Sequence, residues 1–248
     1  YQEAVSRFMP IYKSIDTQWY NDFYVQKSTD RFPIILSMSN GPGNYGPSVT
    51  DKENVHNVFS VMGAWVTDSV GMVVYPPELI LPILIHEFNH SFINFDPEMF
   101  RTSGEQIYAA VGEQMARQAY GQWSIVLAEA MLRAAVIKYM KDHNFPAVEI
   151  NKETVIQKTR GFVWISKLVD ELEKYSSDRT TYPTLNSYMP RLAEAYTGFA
   201  QYTANYDSIR PKVVSIDEFT NGDTTVRSDI KTITVHFDRP LVGRGHSF

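Results

Sequence analysis

From Leu79 to Ile85 the chain carries no polar side chain, and it then reads His86-Glu87-Phe88-Asn89-His90. An apolar run of this kind predicts a buried helix with the five-residue motif at its far end. Burying that helix also buries two imidazoles and a carboxylate, and unpaired polar groups in a core are costly. The fold must therefore give these side chains partners. Pro82 fits the first turn of such a helix, where a missing N–H costs nothing. On a helix His86 and His90 stand one turn apart on the same face. Two neutral imidazoles so spaced hold one Zn²⁺ with bonds of about 2.0–2.1 Å. Glu87 follows the first imidazole. Its carboxylate reaches a water beside the metal without being a ligand, which is the position of a general base. The plain alternative is a pair of hydrogen-bonded core histidines, but the chain has only six histidines, so this spacing rarely arises by chance.

A catalytic zinc site takes three protein ligands and leaves the fourth position to water. The downstream candidates are Asp96, Glu98, Glu105, Glu113 and Glu129. Asp96 and Glu98 flank Pro97, a turn leaving the helix. Glu105 and Glu113 belong to an amphipathic helix whose carboxylates face solvent. Glu129 differs, because the stretch from Trp123 to Ile137 is apolar nearly all round and so reads as a buried helix. A buried carboxylate must be paired or bound to a metal. Arg133, one turn later, offers an ion pair. The two readings are compatible, since the second oxygen of a ligating carboxylate is commonly held by another group and arginine suits that task. His86, His90 and Glu129 are the expected metal ligands, and Glu87 is the expected catalytic residue. His56, His143, His236 and His246 stay open as a fourth ligand, which would close the site and make it structural.

His86-Glu87-x-x-His90 followed by a helical Glu129 resembles the gluzincin branch of the zincin metallopeptidases. The gap from His90 to Glu129 is longer than in thermolysin-like enzymes. The wording His86-Glu87-Phe88-Asn89-His90-Ser91-Phe92, with Glu129-Ala130-x-x-Arg133-Ala134, is more similar to a poorly characterised family of secreted bacterial zincin-like proteins, over residues 1–205. The resemblance implies a zinc metallopeptidase with a peptide or protein substrate, and a His-His-Glu centre completed by a glutamate from a separate helix. Zincins lay substrate along an edge strand near the metal. By that resemblance the strand within Arg31–Ser39 and the loop Asn40-Gly41-Pro42-Gly43-Asn44-Tyr45-Gly46-Pro47 are candidates for the cleft wall. Tyr45 is then a candidate oxyanion donor, with Tyr108, Tyr139 and Tyr188 competing. Read without the resemblance, that loop is equally an ordinary connection.

The pattern along the chain is α+β. An amphipathic helix is expected from Glu3 to about Tyr24. Strands are expected within Arg31–Ser39, Val55–Trp65 and Gly71–Tyr75, and helices over Glu98–Tyr120, Gln122–His143, Glu153–Tyr175 and Thr184–Tyr206. The expected architecture is zincin-like: a small N-terminal β-sheet, the active-site helix and a C-terminal helical subdomain, together residues 1–208. From Pro211 the composition changes. Val213–Asp217 and Ile230–Phe237 read as strands with a turn at Asn221-Gly222-Asp223. Residues 209–248 resemble the opening of a bacterial immunoglobulin-like module, less than half of a sandwich that needs roughly 100 residues.

A formal net charge of −5 with no basic run argues against nucleic acid as a partner. No apolar run reaches the roughly 20 residues of a membrane-spanning helix. Zero cysteine excludes disulfides and thiolate zinc ligands and leaves the compartment open. The chain begins at Tyr1, so any leader is removed or left out. With the immunoglobulin-like tail, the expected location is secreted, periplasmic or cell-surface. The rival from another class is a non-enzymatic surface-binding protein on the same fold. It would use the tail and the stripe Phe162, Trp164, Tyr196, Phe199, Tyr202 and Tyr206 to hold a partner or glycan. Such stripes more often pack helices together, and a purely structural site has no use for Glu87.

Overall fold

The computed structural model describes residues 1–25, 30–93, 96–220 and 222–239. The chain forms two units, 1–204 and 205–248, dividing a few residues ahead of the 208/209 boundary drawn from composition. Its class is α+β.

The first unit opens with α1 (Gln2–Ser14) and α2 (Gln18–Tyr24), two helices in place of one. The break comes at Ile15, which is extended, and the Asp16 carboxylate accepts the Gln18 N–H at 2.9 Å to start the second helix. The strands β1 (Ile34–Ser37), β2 (Ser48–Thr50), β3 (His56–Val58) and β4 (Ser60–Gly63) follow. β1 pairs parallel with β4, and β2 antiparallel with β3. Backbone bonds carry these pairings past each strand, with Val58 N–H to the Arg31 carbonyl, Ser60 N–H to Pro33, and Phe59 N–H to Pro47. Residues 56–63 thus run down the middle of one small interrupted sheet. Pro33 and Pro47 flank the interruption at Phe59, and neither has an N–H for the ladder. Gly71–Tyr75 is not a full strand. It makes a single bridge, Thr67 to Val73, around a turn in which Asp68 accepts from the N–H groups of Val70 and Met72.

α3 (Pro77–Asn89) is the motif helix. It starts earlier than Pro82 suggests: Pro77 takes the first turn, and Pro82 lies inside the helix, where it cannot donate to the Glu78 carbonyl. α4 (Pro97–Ala116), α5 (Trp123–Asp142), α6 (Ala147–Thr159), α7 (Ile165–Ser177) and α8 (Leu185–Ala204) complete the unit. The single helix expected over Glu153–Tyr175 is split, because Gly161 adopts φ +107° and the Phe162 N–H closes back on the Gln157 carbonyl at 3.0 Å. α5 contacts α3, α4, α6 and α7, which accounts for its apolar residues on every side. α4 packs along α8, with Phe100 edge-on to Tyr196 at 5.3 Å between ring centroids. Phe162, Trp164, Tyr196 and Phe199 are all buried, so most of the aromatic stripe is core. No helix among the described residues is long and apolar enough to cross a membrane.

The second unit holds α9 (Tyr206–Ile209) and the antiparallel pair β5 (Val213–Ile216) and β6 (Val235–Phe237), with a register shift between Val213 and Ser215. Thr234 bonds both carboxylate oxygens of Glu218, and His236 bonds Asp217 at 2.7 Å. Asn221 of the expected turn lies outside the described residues.

Candidate metal centre

α3 is gripped from behind. Phe88 meets Tyr20 and Phe32 edge-on, with centroids 5.8 and 5.2 Å apart, and Phe92 stacks on Tyr24 at 5.1 Å. The Tyr20 hydroxyl donates to the Ile85 carbonyl at 3.3 Å, and the Tyr24 hydroxyl to Asn89 Oδ1 at 2.8 Å. These contacts set the rotation of the last turn. His86 and His90 therefore face a cleft, their rings edge to face with centroids 4.9 Å apart.

α5 brings Glu129 to the same point. Glu129 Oε2 lies 3.6 Å from His86 Nε2, and Oε1 lies 3.9 Å from His90 Nε2. Both are too long for hydrogen bonds. One donor atom from each of the three residues falls within 4.8 Å of the others. Two ligand atoms on a tetrahedral Zn²⁺ stand about 3.3 Å apart, so a small inward movement of the side chains would seat the ion. The donor set fits a divalent metal of that size. Among the described residues no fourth His, Asp or Glu joins the group. His56 pairs with Asp30, His143 with Asp16 and the Tyr139 carbonyl, and His236 with Asp217; His246 lies outside the described residues.

Burial pushes the His86 imidazole well below its usual range, and the charges of Arg133, His90 and Arg160 push the same way. Burial also lowers His90, opposed by Glu129 and aided by Arg133. Both rings are thus neutral at neutral pH, the form that ligates a metal. Glu129 Oε2 accepts from the Tyr120 hydroxyl and from Arg133 Nη2, each at 3.1 Å. Arg133 Nη2 also donates to the Tyr120 oxygen at 2.7 Å, and its Nη1 donates to Gln157 Oε1 at 3.0 Å. Gln157 in turn donates to Glu153. Arg133 is where the helical spacing placed it. No periodicity in the sequence marks Tyr120, which lies in the connection between α4 and α5.

Glu87 is 6% exposed and lines the cleft, yet among the described residues no hydrogen bond or ion pair claims its carboxylate. Burial raises it to about 7, Glu129 adds to the rise, and Arg133 opposes it. A carboxyl of that acidity exchanges protons readily near neutral pH.

The other carboxylates are occupied elsewhere. Asp96 caps α4 through the Glu98 N–H, Glu98 and Glu105 pair with Arg101, and Glu113 pairs with Arg117 at the surface. Of the four tyrosines considered as oxyanion donors, none lines the cleft. Tyr45 is exposed, Tyr139 accepts from the Asp16 N–H, and Tyr188 donates to Glu171.

The cleft, about 830 Å³, lies between α3, α5, α6 and the glycine loop. Asn44 lines it and accepts the Gly63 N–H at 3.0 Å. A Cβ on Gly46 would stand 1.8 Å from the Glu87 carbonyl oxygen, so the loop lies directly on the backbone of the motif. Gly46→Ala is expected to cost about 2–3 kcal/mol of stability, because two backbones must part. Urea unfolding measures it, and an unchanged midpoint would contradict the close approach.

No curated protein and no solved structure matches the chain. A family model described as a domain of unknown function, DUF4932, matches residues 3–195. That match spans most of the chain and includes α3, the glycine loop, Tyr120, Glu129 and Arg133, and the chain therefore belongs to the DUF4932 family.

Proposed function

We propose that this protein is a zinc-dependent hydrolase of zincin type, a peptidase acting on peptide or protein substrates. His86, His90 and Glu129 would hold Zn²⁺. When bound, such an ion supplies polarisation of the scissile carbonyl and a lowered pKa for water, toward about 7. Glu87 takes the proton of the attacking water and passes it to the leaving amine. Arg133 and Tyr120 fix the Glu129 carboxylate, and the aromatic grip on α3 fixes the imidazoles, so the ligand set is arranged before substrate arrives.

One observation carries the reading. A buried, unpartnered glutamate stands beside three converging metal donors in the wall of a cleft. A core of satisfied histidines needs neither the glutamate nor the cleft. A protein that only binds a surface partner has no use for Glu87 in that place. The likeness of residues 209–248 to modules of surface proteins supports a location outside the cytoplasm.

Glu129→Gln is expected to weaken zinc binding by more than about 100-fold, since even partners one shell further out are worth 10–100-fold. Glu113→Gln, an exposed ion-pair member, is expected to leave it unchanged. Competition with a chromogenic chelator measures both, and equal affinities in the two variants would remove Glu129 from the ligand set. The peptidase itself is tested with a mixed peptide library read by mass spectrometry. Zinc-loaded protein should cut peptide bonds, and a chelator should stop it reversibly. Absence of any cleavage at full zinc loading would overturn the peptidase reading.

A further inference from the structure

Two arginines line the cleft, and they are employed differently. Arg133 is bound to Glu129, Tyr120 and Gln157. The guanidinium of Arg160 makes no hydrogen bond and no ion pair with any described residue. It is nonetheless near enough to matter at the centre. Its charge acts on His86, and the charges of Arg133, Glu153 and Glu129 act on it.

The chain fixes the backbone of Arg160 with care. α6 ends there, and Gly161 turns the chain into the left-handed region. Gln114 Nε2 donates to the Thr159 carbonyl, and Gln118 Nε2 to the Arg160 carbonyl, each at 2.7 Å. A Cβ on Gly161 would lie 2.9 Å from the Met115 methyl carbon. The end of α6 is thus clamped onto the last turn of α4, so little main-chain freedom remains to be lost when a ligand binds. Its position at a helix C-terminus also favours a positive charge there.

With its main chain held and its side chain exposed at the cleft, Arg160 feels the charges of Glu153 and Glu129 but is bonded by neither, which leaves its guanidinium free for an anion that arrives from outside. The planar guanidinium fork matches a carboxylate with two parallel hydrogen bonds. The same cleft is lined by apolar side chains, Ile83, Val136, Met140, Phe145 and Ile156, and Ile156 stands one helical turn before Arg160 on α6. That neighbour suits an apolar side chain.

We propose that Arg160 recognises a carboxylate of the substrate, so that the cleft selects peptides presenting a carboxylate beside an apolar residue. The proposal rests on the peptidase reading and deepens it. The carboxylate is either the free C-terminus or an acidic side chain, and the two sources are separable by experiment.

The test is equilibrium binding to the full chain carrying Glu87→Gln, which keeps peptides intact. Three N-acetylated apolar tetrapeptides ending in phenylalanine serve as probes: the free acid, the amide, and the amide with glutamate before the phenylalanine. At least one carboxylate-bearing probe should bind about tenfold or more tightly than the plain amide. The free acid alone gaining affinity identifies the C-terminus as the source, and the glutamate probe gaining it identifies a side chain. Adding Arg160→Gln should bring the probes to equal affinity, and Arg160→Lys should restore part of the difference. Arg160→Gln removes no hydrogen bond among the described residues, so the fold is retained. Equal binding of all three probes, no binding of any, or a carboxylate preference that survives Arg160→Gln would each overturn the proposal. Hydrolysis of the library with no carboxylate preference would remove Arg160 and leave the peptidase. Carboxylate-dependent binding without hydrolysis would remove the peptidase and leave an anion-binding cleft.

Discussion

Glu87→Gln is expected to lower peptide hydrolysis by roughly 10²–10⁴-fold, the usual loss when a positioned general base is removed. The substitution keeps the shape of the side chain and removes its capacity to take a proton. Zinc content should stay the same, because Glu87 is not among the three converging donors. Stability should hold or rise slightly, since the native carboxylate is buried without a partner and an amide there needs no counter-charge. The measurement is kcat on a peptide found in the library, with metal content determined on the same sample. Full activity in the variant would exclude Glu87 as the base. A parallel loss of zinc would make it a ligand instead.

The second large effect concerns the metal as a structural clasp. His86 lies in α3, His90 caps its end and Glu129 lies in α5, so a bound ion ties two core helices together. Stripping the metal with a chelator is expected to lower the unfolding free energy by about 4 kcal/mol when zinc stands near a thousand times its dissociation constant. His86→Ala and His90→Ala should each behave like the stripped protein, with no further loss on adding chelator. Urea unfolding with and without chelator reads this directly. A chelator effect of full size in either alanine variant would place the metal elsewhere.

The residues of the centre differ in how openly the sequence shows them. His86, Glu87 and His90 are neighbours in one helical turn, so their chemistry is local and legible. Glu129 is legible for a different reason: an apolar helix leaves a carboxylate conspicuous. Tyr120 and Arg160 escape notice because one sits in a turn and the other at an exposed helix end, where a charge looks merely solvated. Only the packing of α6 on α5 brings Arg160 to the cleft. The strands fare worse than the helices. β2 is only the three residues Ser48-Val49-Thr50, too short for an alternation to stand out, and the prolines at 33 and 47 cut the sheet in ways that depend on which strands meet. The helix split at Gly161 is visible afterwards as a lone glycine, but its cause is the tight contact with α4.

The decisive measurement is anomalous scattering at the zinc absorption edge from crystals of the zinc-loaded protein. A single strong peak is expected within bonding distance, about 2.0–2.2 Å, of His86, His90 and Glu129. A peak ligated by other residues, or no peak at these three donors at full zinc loading, would contradict the metal centre on which the proposed chemistry depends.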